Sequence, residues 1–161
     1  MQKENNLQYI ETEFKVLKLP HYIENDSNLK YGSELAHCFD VCACIAEPIT
    51  LKPHHRAKVS LGIKFVPEHT IWYKILSRSG LAVNYGIITI GGVIDCDYRG
   101  EVFAIMLNTD PEASYTINPG DKIAQIEIPY PYKAKFTEIS EEEFNKLSTS
   151  RGAGGFGSTG K

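Results

Sequence analysis

The amino-acid sequence predicts an all-β domain, an antiparallel sandwich or barrel with one short helix near its end. Three observations carry this. Apolar and polar residues alternate with a period of two through much of the chain. Turn signals recur between the alternating runs: Glu47-Pro48, Lys52-Pro53, Asp110-Pro111 and Asn118-Pro119-Gly120-Asp121. Many short strands with such punctuation close on themselves as sandwiches or barrels. Only one stretch has the pattern of a helix.

In chain order, the first thirteen residues read as a loose arm. Residues 37–45 alternate, with Phe39, Val41, Ala43 and Ile45 on one face and Cys38, Asp40, Cys42 and Cys44 opposite. Residues 58–66 put Val59, Leu61, Ile63 and Phe65 on one face of a half-buried strand. Short strands follow at 71–76, 87–90, 102–107, 114–117 and 123–128. Residues 129–136, rich in Pro and Tyr, read as an extended crossing toward a neighbouring subunit. Ser140 with Glu143 three positions on has capping-box spacing, so the helix starts there, with Phe144 and Leu147 turned inward. Residues 1–150 form one domain. Residues 151–161 hold five of the chain's thirteen glycines and stand apart as a tail or flap.

The bulk properties exclude several classes. The 161 residues can bury roughly two thirds of the unfolded surface without a staple. A net charge of −3 offers no excess to neutralise phosphates, so nucleic acid is not an expected partner. No apolar run has the length of a membrane span. The opening residues lack the apolar core and cleavage site of a signal peptide, and an intracellular, cytoplasmic location is expected. The four cysteines, at 38, 42, 44 and 96, contain no Cys-x-x-Cys pair. They read as small, reduced core residues rather than zinc ligands.

Four segments carry candidate chemistry. Residues 91–102 read Gly-Gly-Val-Ile-Asp-Cys-Asp-Tyr-Arg-Gly-Glu-Val, a strand, a tight turn and a second strand. Asp95 could take a proton from water; equally, Asp95 and Asp97 could bond their own turn, and spacing alone favours the turn. Ser77-Arg78-Ser79-Gly80 combines hydroxyls, a guanidinium and open N–H groups in a turn, which suits an anion or an ordinary salt bridge. Gln125 sits within an apolar strand after the Pro119-Gly120 turn and needs partners, either a ligand or a neighbouring backbone. In the tail, Arg151, Ser158 and Thr159 could grip phosphates, glycines allow close backbone approach, and Phe156 could lie on a planar ring.

Taken together and in order, these segments resemble the five motifs of the trimeric deoxyuridine triphosphatase (dUTPase) family. Ala36–Val41 is similar to the first, Arg78-Ser79-Gly80 with Ser77 to the second, Gly92–Glu101 to the third, Gly120–Gln125 to the fourth and Arg151–Gly160 to the fifth. The resemblance implies a jelly-roll-like β-barrel in a homotrimer, with sites shared between chains and a glycine-rich C-terminal flap closing over a neighbour's site. The implied reaction is hydrolysis of dUTP to dUMP and pyrophosphate, which keeps uracil out of DNA and supplies dUMP for dTMP synthesis.

By the same resemblance, Asp95 activates the water that attacks the α-phosphorus. Mg²⁺ binds the phosphates, with Asp40 holding its water shell. Backbone groups near Gly92 and Phe103 read uracil, Tyr98 excludes a 2′-hydroxyl, and Phe156 stacks on the base. Arg78, Ser79, Gly80, Gln125, Arg151, Gly157, Ser158 and Thr159 take the phosphates. Cys38, His37 and Phe39 depart from the usual first motif. A dCTP deaminase is a weaker reading, because residues 102–107 carry no carboxylate. A regulatory module that uses the flap to gate an unknown protein partner is the alternative from another class.

Overall fold

Alternating sequence becomes paired strand through most of the chain. The structure, a computed structural model, describes residues 9–129 and 131–156. Its strands are β1 (Ile10–Lys18), β2 (Lys30–Tyr31), β3 (Cys38–Cys42), β4 (Ile49–Leu51), β5 (Arg56–Ser60), β6 (Ile63–Pro67), β7 (Tyr73–Ser77), β8 (Ile87–Thr89), β9 (Val93–Ile94), β10 (Phe103–Asn108), β11 (Tyr115–Ile117), β12 (Lys122–Glu127) and β13 (Tyr132–Glu138). Helix α1 (Ser79–Tyr85) follows β7 and α2 (Glu141–Lys146) follows β13. Four sheets result, ordered β13-β1-β6, β5-β10-β8, β11-β4 and β2-β3-β12-β7-β9. All pairings are antiparallel except β1 with β13.

The inward faces predicted from alternation supply the core. Phe39, Val41, Ala43, Val59, Leu61, Ile63 and Phe65 are all essentially inaccessible. Phe14, Phe65, Tyr73 and Phe136 add edge-to-face ring contacts, with centroids 5.6 Å apart for Phe14 and Phe65. A second, smaller cluster of Leu17, Ile139 and Phe144 seats α2 on the barrel. Ser140 caps the helix as predicted: its hydroxyl accepts from the Glu143 N–H at 3.2 Å, the N-cap half of the capping box.

Several expectations need correction. Residues 10–13, expected in a loose arm, begin β1. The run 58–66 is two strands, because Gly62 breaks it with φ +66 and a Cβ there would lie 2.8 Å from Cys44 Cβ. Residues 132–136, expected to run extended, are part of β13 and pair in parallel with β1 of the same chain, from Ile10 with Tyr132 to Phe14 with Phe136. Ser79-Gly80 opens a second helix rather than a turn. That helix buries only Leu81, has no side-chain cap, and stops at Gly86 in the left-handed region at φ 65. The four cysteines are free, and Cys42 and Cys44 are buried.

Candidate active site

The strand, turn and strand expected at 91–102 do not close as a hairpin, because β9 pairs with β7 and β10 with β5 and β8; together with the Asp95–Gly100 turn they frame a cavity of about 250 Å³. It is lined by the apolar side chains of Ile75, Ile90, Ile94 and Ile105, together with Gly92, Tyr98, Glu101, Phe103, Arg151 and Phe156. Gly92 is needed at this wall. Its φ is +101, and a Cβ would sit 2.7 Å from the Ile75 carbonyl oxygen. The Gly92 carbonyl accepts from the Ile75 N–H at 2.8 Å, which leaves one of its lone pairs for another donor. Tyr98 folds its ring back over Gly100, where any Cβ would collide with the phenol. Its hydroxyl donates to the Glu101 carbonyl at 2.9 Å, and burial raises its pKa above the ordinary value.

Asp95 and Asp97 do not bond their own turn through their side chains. Both carboxylates accept from one guanidinium nitrogen of Arg151, at 3.2 Å for Asp97. The hydrogen bond to Asp95 raises the Arg151 pKa further. Arg151 also lies 5.7 Å above the Tyr98 ring and donates to the Gly154 carbonyl at 2.9 Å. Tail residues 151–156 therefore lie against the Asp95–Gly100 turn of their own chain. Phe156, 64% exposed with φ 51, meets Phe103 edge-on at 6.3 Å. Lys58 lies over both rings, at 4.2 Å from Phe103 and 5.1 Å from Phe156.

A second group gathers at the β3-β12-β7 junction. Asp40 on β3 meets Arg78 at 3.3 Å and Lys122 at 3.2 Å. Arg78 also donates to the Lys122 carbonyl at 3.0 Å. Gln125 is the register partner of Asp40 on one side and Leu76 on the other, and its amide donates to the Ser77 carbonyl at 2.9 Å. Ser79 and Gly80 are the first residues of α1, after Arg78. None of these residues lines the cavity beside Tyr98. Gly157, Ser158 and Thr159 lie outside the described residues.

The sequence profile of the dUTPase family matches residues 25–160. The chain belongs to the dUTPase family. A protein named deoxyuridine 5′-triphosphate nucleotidohydrolase from Chlamydia muridarum is 39% identical over 142 residues, covering 86% of this chain and 95% of that one. One of the same name from Candida albicans is 43% identical over 130 residues, covering 81% and 79%. Among solved structures, a Staphylococcus bacteriophage 80alpha dUTPase variant with dUpNHpp matches with a TM-score of 0.63 at 19% identity, covering 92% of this chain and 98% of that one. The dUTPase of phage phi11 matches at 0.62 and 18% identity. These neighbours share the jelly-roll-like fold.

Against the dUTPase motifs, the third-motif residues Gly92, Tyr98 and Phe103 come together with Arg151 and Phe156 of the fifth. Asp40, Arg78, Ser79 and Gln125 gather separately. Three residues with a place in these groups were not singled out in the sequence: Lys58, and Glu101 and Lys122 within the stretches similar to the third and fourth motifs. Their partners lie 45, 41 and 82 positions away in sequence, for the pairs Lys58–Phe103, Ser60–Glu101 and Asp40–Lys122. Only the fold reveals them. No helix among the described residues is long and apolar enough to cross a membrane.

Proposed function

We propose that this chain hydrolyses dUTP to dUMP and pyrophosphate. Asp95 takes a proton from water, the oxygen attacks the α-phosphorus, and the bond to the β-phosphate breaks as pyrophosphate leaves. The observation that carries this reading is that Asp95, which does not itself line the largely apolar cavity, follows Ile94 and bonds Arg151, both of which do. The carboxylate is 57% exposed and its partner there is the tail guanidinium, Arg151. A phosphate chain that drew Arg151 away would leave Asp95 free to bond water.

The cavity suits a pyrimidine. Gly92 and Phe103 supply backbone groups to its edge, and a cytosine amino group would oppose the donor that uracil satisfies. Tyr98 forms the floor on which a deoxyribose would rest. Phe156, exposed beside Phe103, would cover the base. Arg78, Ser79, Gly80 and Gln125 would bind the phosphates, joined by Arg151, Gly157, Ser158 and Thr159 of the tail.

These two groups share no residue within one chain, which supports a homotrimer whose sites combine the cavity of one protomer with the Asp40 group of another. The flap closing over a neighbour's site belongs to the same proposal. Mg²⁺ fits Asp40 as an ion brought by the triphosphate and held through water. Asp40 is paired with Arg78 and Lys122, and the described residues hold no group of three metal-ligating side chains. The ion would therefore arrive with the triphosphate, whose phosphates would take up those two cations and free the carboxylate for the ion's water shell. A structural Mg(II) ion is described for the phage phi11 relative. When bound, the ion would neutralise phosphate charge. No observation on the described residues favours the alternative of a nucleotide-gated module for a protein partner.

The test is pyrophosphate release from dUTP, dCTP, dTTP and UTP with Mg²⁺. Release from dUTP alone is expected. Equal release from all four, or none from dUTP, would overturn the reading.

A further inference from the structure

Glu101, at the end of the third-motif turn, is grasped from behind. Its carboxylate accepts from the Ser60 hydroxyl and from His21 Nε2, the latter at 2.9 Å. His21 Nε2 and the Ser60 hydroxyl are 3.0 Å apart. With Ser60 donating to the carboxylate, its oxygen is left to accept the Gly62 N–H at 3.0 Å. These donors come from two separate elements. Ser60 ends β5, and His21 belongs to a loop fixed by the Leu19 N–H on the Gly62 carbonyl at 2.8 Å. Through its own carbonyl, Glu101 receives the Tyr98 hydroxyl.

The other tethers of this turn run elsewhere. Arg99 donates to the Leu147 carbonyl at 3.0 Å, its N–H bonds the Gly152 carbonyl at 2.7 Å, and Thr149 donates to the Asp97 carbonyl at 2.6 Å. Asp95 and Asp97 reach Arg151. All of these hold the turn to the segment leading into the tail. Among the described residues, the Glu101 carboxylate makes the only side-chain hydrogen bonds that tie the turn to the barrel wall. It is 21% exposed, so its bonds are partly shielded from water.

We propose that Glu101, Ser60 and His21 form a clasp that fixes Tyr98, and that Ser60 and His21 act as positioning residues for the exclusion of a 2′-hydroxyl. Tyr98 can reject a ribose only if its ring cannot retreat. The ring's polar end is held by the Glu101 carbonyl, and that carbonyl stays in place because one carboxylate oxygen of the same residue accepts from both Ser60 and His21. Loosening the clasp lets the floor of the cavity give way, so the ribonucleotide gains more than the deoxyribonucleotide. This inference rests on the dUTPase reading of the cavity.

The experiment compares wild type with Ser60→Ala, Ser60→Thr, His21→Ala and Glu101→Gln. Three quantities are read: kcat/KM for dUTP and UTP, the split of any loss between KM and kcat, and amide hydrogen exchange over residues 96–101. Loss of one shielded bond to a charged group predicts that the dUTP-to-UTP preference falls about tenfold in Ser60→Ala and Glu101→Gln. The change falls mainly on KM, exchange of the turn quickens, and Ser60→Thr restores both. An unchanged preference with unchanged exchange in folded Ser60→Ala overturns the clasp. Faster exchange with an unchanged preference also overturns it, because the turn would then loosen without affecting the sugar. If wild type leaves dUTP intact, the hydrolase reading fails. The clasp is then judged by turn exchange and by the ratio of dUMP to UMP affinity, and it fails if either is the same in Ser60→Ala as in wild type.

Discussion

Arg151 reaches out of the tail to place one guanidinium nitrogen against both Asp95 and Asp97 of the third-motif turn. The proposed base and its neighbour are thus neutralised by the residue proposed to bind phosphate. Substrate phosphates must compete with two carboxylates for that cation.

Arg151→Ala removes both the phosphate contact and the neutralising charge. We expect kcat/KM for dUTP to fall about ten- to a hundredfold, the usual range for losing a charge-assisted bond. Affinity for dUMP should change little, since that product lacks the β- and γ-phosphates. Steady-state kinetics and calorimetry measure the two effects separately.

Gly92→Ala should destabilise the barrel by about 2 kcal/mol, through left-handed strain and contact with the Ile75 carbonyl. Denaturant unfolding checks this. Gly32 is the control, because a Cβ there meets nothing within 4 Å.

Tyr73 is fully buried, and its hydroxyl has no hydrogen-bond partner among the described residues. Burial drives its pKa upward. Tyr73→Phe deletes an unsatisfied polar atom while keeping the ring contacts to Phe14 and Phe65. Stability should stay level or rise by about 1 kcal/mol. A lowered Tm would show that the hydroxyl has a partner in solution.

How much of this was legible in the sequence depends on the range of each signal. The alternation of Val59, Leu61, Ile63 and Phe65 reported burial correctly, because side-chain direction in a strand is local. It could not report that Gly62 splits the run, since that follows from the approach of Cys44, eighteen positions away. Helix α1 was missed because Arg78-Ser79-Gly80 lacks a cap and an acidic first turn, although Tyr85-Gly86 is a recognisable stop. The parallel pairing of β1 with β13 joins segments more than a hundred residues apart and leaves no local pattern. The motif residues were legible through their resemblance to a family. The partners that hold them, Lys122 for Asp40 and Ser60 for Glu101, were not.

Cys42 and Cys44 are buried thiols whose pKa values are raised by desolvation from the ordinary value of 9.0. Folding therefore favours their protonated forms. The stability linked to them is complete below pH 9.0 and is lost as pH rises through the folded values. The Tm should be flat up to that point and then decline. At pH 8 both thiols should resist iodoacetamide until the chain unfolds, while the half-buried Cys38 and Cys96 react first.

The most direct test of the central claim is single-turnover pyrophosphate release from dUTP by wild type and Asp95→Asn, with dUMP binding measured on both. If Asp95 activates the water, the variant binds dUMP as wild type does while its rate falls by roughly a thousandfold, within the range for removal of a general base. A rate within tenfold of wild type would contradict the assignment and leave Asp95 only a partner of Arg151.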